Sequence, residues 1–500
     1  MTLALSDARV WVVRDRPMYA TQPPFDPSED YPEWQGGAVA ICDNPGYRGV
    51  RSLFRDMGLD THSQGTAAWN PLGDIVKPGQ RAVLKPNLVA HFNHGTKDLG
   101  LTDTDCLVTH GSIIRAVADY AARAVTPGGQ VRILDCPIQG TSWSEVVRLT
   151  GLSEIVQSLR ERFPSVDVVL EDGRLGVAKV RNGQIISRES SGARTEDYVE
   201  VDLGSSSSFA GLIPGPRGYG VTQYGRGRMR EAHSPVANRY LIPKSVLEAD
   251  AFINLPKMKT HIKTVVTCAL KNLVGINGHK DYLPHFRGGS PRVGGDEYPD
   301  GNLYWDLTWA LAHREWELEK GRQKAILAFL QRILRRTSPL LGGFPSSRYA
   351  LGGGSWFGND TIWRMILDIN QALFYYDRKT GSMSQEPWPG LTYMTIGDAL
   401  VAGEGDGPLS PAPVYAGLLF SSYNPVACDT FALGVMGFDA AKVPLVARAF
   451  AMESPRLAAF AQEDVTVIRG DFATNIDGFV EAEPRGTFTA PRGFAGRVEG

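Results

Sequence analysis

Residues 250–281, DAFINLPKMKTHIKTVVTCALKNLVGINGHKD, constrain what this chain can fold into more than any other stretch. They open with Ala251-Phe252-Ile253-Asn254-Leu255, an apolar run of strand length. A strand without alternation is one covered on both faces, as in a parallel sheet packed between helices. Pro256 has no N–H to give to a ladder and ends the strand. Lys257, Lys259, Lys263, Lys271 and Lys280 then fall between Asp250 and Asp281 with no carboxylate among them. Solvated surfaces mix signs, so a stretch this one-sided either meets anions or repels itself.

Projected at about 100° per residue, the same stretch predicts a helix from about Ile262 to Val274. Ile262, Val265, Val266, Ala269, Leu270 and Leu273 would face the core. His261, Thr264, Cys268, Lys271, Asn272 and Gly275 would share a second arc. Solvated helix faces favour Glu, Lys, Gln and Arg, whereas this arc carries small polar groups, one lysine and one histidine. That composition fits a ligand-lined wall, or tight packing on a neighbouring backbone.

The rest of the chain sets bounds. With 500 residues and 43% hydrophobic content it can bury a large core in two to four domain-sized units. A net charge of -2 argues against nucleic acid, whose phosphates call for a basic surface. The N-terminus lacks the basic and apolar regions of a secretory signal, and no apolar run reaches the ~20 residues of a membrane span. Cys42, Cys106, Cys136, Cys268 and Cys428 are scattered, with no CxxC pair, which argues against a disulfide framework and an iron–sulphur cluster. The expectation is a cytoplasmic protein, whose oligomeric state composition leaves open.

Read in order, Arg81–Leu84 and Val131–Leu134 are buried strands flanking an amphipathic helix over 109–124, with Thr109 as its N-cap. Strand, helix, strand at this spacing makes a parallel βαβ unit. The fold class is therefore α/β, a mostly parallel sheet flanked by helices, with a helical and loop insertion. The predicted division is an N-terminal extension (1–48), an α/β core in two parts (49–281 and 356–483), an insertion (282–355) and a loose tail (484–500). Within the insertion, residues 305–336 read as helical. Their basic end, Arg332, Arg335 and Arg336, fits either a membrane surface or a helix capping the domain with its arginines in water, and the second is the expectation. The Ser-, Gly- and Arg-rich segment 204–238 reads as a lid or an inert loop.

In open α/β sheets ligands bind at the carboxyl ends of strands, where Lys85, Asn87 and Asp135 fall. Lys259, His261, Lys271 and Asn272 are the candidate catalytic groups, as desolvated amines with a proton carrier. Lys85, Asn87, Lys257 and Thr264 are the candidate substrate-binding groups. Glu404 and Asp406, on a Gly-Glu-Gly-Asp-Gly-Pro loop, join Asp135 as hard oxygen ligands for a divalent metal.

These motifs together resemble the domain-of-unknown-function family 362. The resemblance rests on Lys85-Pro86-Asn87, on Asn254 to His261 (NLPKMKTH), and on Lys271-Asn272 with Gly275. Glu404 to Pro408 and Asn424-Pro425-Val426-Ala427 with Asp429 complete it, so that it spans roughly 49–455. It implies an α/β fold. Some members carry a ferredoxin-like cysteine module that this chain lacks, so no cluster is expected. The leading expectation is an enzyme acting on a small anionic or carbonyl-bearing metabolite. The alternatives are a redox or metal-carrying accessory protein using Cys268 and His261, and a non-catalytic binder of an anionic metabolite.

Overall fold

The computed structural model of the protein describes residues 4–97, 104–181, 184–300, 303–318, 321–337, 351–483 and 487–500. Parts of the predicted insertion (301–302, 319–320 and 338–350) and of the predicted tail (484–486) lie outside the described residues.

Twelve strands make one sheet. In chain order they are β1 (Arg9–Arg14), β2 (Arg81–Pro86), β3 (Gln130–Asp135), β4 (Asp167–Asp172), β5 (Ala251–Leu255) and β6 (Lys257–His261). The remainder are β7 (Val265–Thr267), β8 (Thr392–Asp406), β9 (Ser410–Val414), β10 (Leu418–Ser422), β11 (Thr466–Arg469) and β12 (Phe472–Asn475). The order across the sheet is β12-β11-β1-β10-β8-β5-β2-β3-β4. From β8 to β4 the neighbours run parallel, whereas β10 is antiparallel to both β8 and β1.

Both faces are covered, because successive side chains on a strand point to opposite sides. Ala82 and Leu84 enter one core with Ala251 and Ile253, under α1 (Pro45–Asp56), α2 (Gly111–Val125) and α3 (Leu152–Arg162). Val83 and Phe252 enter the other, under α5 (Ile362–Tyr375) and α6 (Pro425–Met436). A short helix, α4 (Ala269–Asn272), lies against β5 on that second side. Each fully buried Val, Leu, Ile or Phe contributes about 1.5–3 kcal/mol. This is the α/β sheet that the strand patterns predict.

Several details differ from the sequence reading. Residues 262–274 do not form one helix: β6 and β7 are an antiparallel hairpin pairing Lys259 with Thr267 and His261 with Val265, and helix begins only at Ala269. Thr260, Ile262, Thr264, Val265, Val266 and Thr267 are β-branched, which favours strand over helix, and β6 pairs with β7 on one side and β8 on the other. The N-terminal segment is part of the sheet, since β1 lies between β10 and β11. Residues 487–500 are anchored by buried Phe488, Phe494 and Val498 rather than loose. Thr109 is not the N-cap of α2. His110 is, accepting from the Ser112 amide, while Thr109 Oγ1 donates to Leu255 O at 2.6 Å.

Candidate functional site

β2, β3 and β5 end at one edge of the sheet, and their last residues meet there. Lys85 Nζ lies 2.6 Å from Asp135 Oδ1 and donates to Asn272 Oδ1 at 3.1 Å. Asn87 Nδ2 also donates to Asn272 Oδ1, at 2.9 Å. Asn272 returns its own amide to Lys85 O and Asn254 Oδ1. Gly275 closes this layer. A Cβ there would fall 2.2 Å from Asp135 Oδ1 and 2.5 Å from Lys85 Nζ, so the buried pair has room only because the residue is glycine. Asp429 of α6 accepts from the Leu270 amide and fixes the start of α4, which carries Lys271 and Asn272.

Above this layer is a cavity of about 250 Å³. Its cationic wall is Lys263, Lys271 and Lys280 with His261 and His285. Val89, Ile138, Val221, Leu283 and Leu409 give it apolar surface. Asp135 is the lining carboxylate, and Lys85 already holds it. Lys271 has no hydrogen-bond or ion-pair partner among the described residues. Lys263 reaches over the Phe286 ring, 6.0 Å from its centroid. Gln139 Nε2, also on the wall, is buried without a hydrogen-bond partner.

Burial and mutual repulsion set the protonation of this cluster. Burial first, then Lys280 and Lys263, bring the Lys271 ammonium down to about 7. Burial and Lys280 bring Lys263 to about 7. Burial alone lowers Lys280 to about 8. His261 and His285 are pushed well below their ordinary value by burial and by these lysines, so both rings are neutral. Hydrogen bonds then assign their tautomers. His261 Nδ1 accepts from the Lys263 amide at 3.0 Å, leaving the hydrogen on Nε2. His285 Nδ1 donates to Leu283 O at 2.8 Å, and its Nε2 accepts from Lys280 Nζ at 3.3 Å.

Lys263 projects from the tip of the β6–β7 hairpin. Val265 closes that turn at φ +68, in the left-handed region that a β-branched residue rarely adopts. Such a conformation costs about 1–3 kcal/mol and persists where surrounding structure imposes it.

The sequence-chosen residues divide. Lys85, Asn87, Asp135, His261, Lys271 and Asn272 line the cavity. Lys259 sits one layer behind, donating to Asn87 Oδ1 at 3.0 Å and to Leu107 O. Lys257 is sealed inside the protein, 2.7 Å from Asp398 and 2.7 Å from the Tyr19 hydroxyl, and is not a cavity residue. Thr264 is buried in the hairpin turn, donating to Val266 O. Glu404 and Asp406 are not brought to Asp135. They stand on the β8–β9 hairpin, Glu404 accepting from the Thr489 amide at 2.8 Å and Asp406 holding Arg492 at 2.6 Å. That hairpin reaches the cavity through Pro408 and Leu409 alone. Among the described residues no group of three His, Cys, Asp or Glu side chains is placed to hold a metal. Cys268 is fully buried and does not line the cavity.

Sequence reasoning counted Lys263 and Lys280 in the one-sided stretch without giving them a role, and missed His285 and Gln139. The signal for the first two was the charge run itself, which continues past the predicted helix end to Lys280. Nothing local marks His285, which comes from the segment predicted as an insertion. Val221 and Thr222 come from the Ser-, Gly- and Arg-rich segment, so both segments contribute wall residues.

A family model described as "Domain of unknown function (DUF362)" matches residues 211–434. This segment belongs to the DUF362 family. It is narrower than the 49–455 that the motifs suggest. The DUF362 segment carries His261, Lys263, Lys271, Lys280 and His285, whereas Lys85, Asn87 and Asp135 precede it. No curated protein matches the chain. Among solved structures, a structural-genomics crystal structure of a Thermotoga maritima protein aligns at 9% identity and a TM-score of 0.27, covering 74% of this chain and 56% of that one. The chain thus spans just over half of that protein's length, and the likeness is too slight to bear on function.

Proposed function

We propose that this DUF362 chain is an enzyme acting on a small anionic metabolite, and that it moves a proton on that substrate through Lys271. One observation carries the reading. Three lysine side chains share a small cavity with two neutral imidazoles, and the one lining carboxylate among the described residues is taken by Lys85. Buried like charges without counter-charge are costly, and an anion relieves them.

The parts fit distinct roles. Lys263 and Lys280 hold the anionic group, and Gln139 offers an amide donor. At neutral pH a substantial share of Lys271 is the free amine, and a base with a pKa near the working pH is the most effective proton acceptor. His261 presents Nε2–H, a donor for charge developing on a substrate oxygen. Lys85, Asp135, Asn87, Asn272 and Lys259 hold these groups in place. The chemistry this permits is proton abstraction and return at a carbon beside a carboxylate or carbonyl.

Calorimetric titration of the full chain with sulfate, phosphate and short di- and tricarboxylates tests the binding half. At least one is expected to bind, and Lys271→Met and Lys263→Met to weaken it. Proton NMR in heavy water tests the chemical half. Wild type is expected to exchange the C–H beside the carboxylate of a bound anion, and Lys271→Arg to bind without exchange, because a guanidinium does not deprotonate. Wild type that binds no anion defeats the proposal, and binding without exchange leaves a metabolite-binding protein.

A further inference from the structure

The outer helix of the insertion, Arg322–Thr337, turns an apolar face to solvent. Phe329 is 60% exposed and Ile326 57%, and Leu330 and Ile333 are exposed with them. At about 100° per residue these four fall on one arc roughly 100° wide. The side bearing buried Gln331 packs toward the helix Leu303–Trp316. Single exposed hydrophobic residues are ordinary, but a continuous helical arc of large ones marks an interaction surface.

Charge decides which surface. Lys320, Arg322, Lys324, Arg332, Arg335 and Arg336 lie in or beside this helix, and after Glu319 no Asp or Glu occurs before Asp360. Arg332 and Arg336 are exposed and project next to the apolar arc. The chain as a whole is slightly negative, so this block is a local concentration. A second copy docking face to face would bring two such blocks together. The following residues, 338–350, add Arg348 and no acid, so covering the face with them would leave the charge uncompensated.

We propose that this helix lies on an anionic membrane surface. Ile326, Phe329, Leu330 and Ile333 enter the headgroup–acyl boundary, and the arginines meet lipid phosphates. The association is peripheral: among the described residues no helix is long and apolar enough to cross a membrane.

Sedimentation of the full chain with lipid vesicles tests this. Wild type is expected to pellet with mixed phosphatidylcholine–phosphatidylglycerol vesicles and to stay in solution with phosphatidylcholine alone. Each cationic residue near the surface strengthens binding about fivefold, so Arg332→Gln with Arg336→Gln is expected to lower partitioning about 30-fold. Phe329→Ser with Ile333→Ser is expected to abolish it. Both pairs are exposed, so circular dichroism melts should match wild type. The proposal is overturned if wild type ignores the anionic vesicles, if it binds neutral vesicles equally, or if both double variants partition like wild type. It is equally overturned if wild type is a dimer that Phe329→Ser with Ile333→Ser converts to a monomer while neither pellets with vesicles.

Discussion

If the lysine cavity receives an anion, binding must be linked to proton uptake, and the structure sets its size. In the empty site Lys263 and Lys271 titrate at about 7 and Lys280 at about 8. Sulfate, which has no C–H to turn toward Lys271, would raise all three toward the ordinary lysine value of about 10.4, whereas a substrate anion held by Lys263 and Lys280 would leave Lys271 largely the amine. A group whose pKa rises on binding takes up a proton, so affinity is fully present below the empty-site pKa and falls as pH rises through it. At pH 7 Lys263 and Lys271 would each take up about half a proton and Lys280 about a tenth, giving roughly one proton per anion. At pH 8 uptake would rise to about two, and affinity would fall by up to roughly 50-fold between the two pH values. Calorimetry in PIPES, HEPES and Tris measures this directly, because the apparent enthalpy then varies with buffer ionisation enthalpy in proportion to protons taken up. The anion must keep a constant charge across the range, as sulfate does. In Lys271→Met, uptake at pH 7 should drop by about half a proton. A buffer-independent enthalpy from pH 7 to pH 8, or proton release, would falsify the assignment of these lysines as an uncompensated cluster.

Three further outcomes follow from the same geometry. Gly275→Ala drives a methyl group into the Lys85–Asp135 pair and should destabilise the protein by about 3–5 kcal/mol, read by urea denaturation, with loss of anion binding. Lys263→Met removes a half-buried cation that no carboxylate bonds among the described residues and should stabilise the protein at pH 7 by up to about 4 kcal/mol while weakening anion binding; a destabilised variant would show that Lys263 is already neutralised. Glu404→Ala loses one bond to the Thr489 amide and should change stability by no more than about 1 kcal/mol. That variant should leave anion affinity unchanged, and a fall in either affinity or metal content on elemental analysis would restore the acidic hairpin to the site.

The contrast between residues legible in sequence and those hidden has physical causes. Strands β2, β3 and β5 and helix α2 were readable because each carries its own burial signal within its own length. The hairpin β6–β7 was not, because its apolar residues also satisfy a helical period, and only β8, more than a hundred residues away, supplies the partner that makes it a strand. Lys257 and Lys263 belong to the same charge run and look alike in sequence. Tyr19 and Asp398 claim the first, whereas among the described residues no carboxylate is bonded to the second. Glu404 and Asp406 looked like metal ligands because glycines surround them, yet Thr489 and Arg492 come from the other end of the chain to take them.

The sequence by itself determined the class of sheet, the edge at which the lysine-lined cavity opens, and the excess of positive charge near it. Those follow from local hydrophobic patterns and from the absence of acids over one short stretch, neither of which needs a distant partner. Only the tertiary structure decided which cations remain without counter-charge, because pairing is settled by side chains that arrive from remote elements. It also decided that Leu283 and His285 would join Lys271 on one wall, since a cavity is enclosed by segments whose meeting no local pattern encodes.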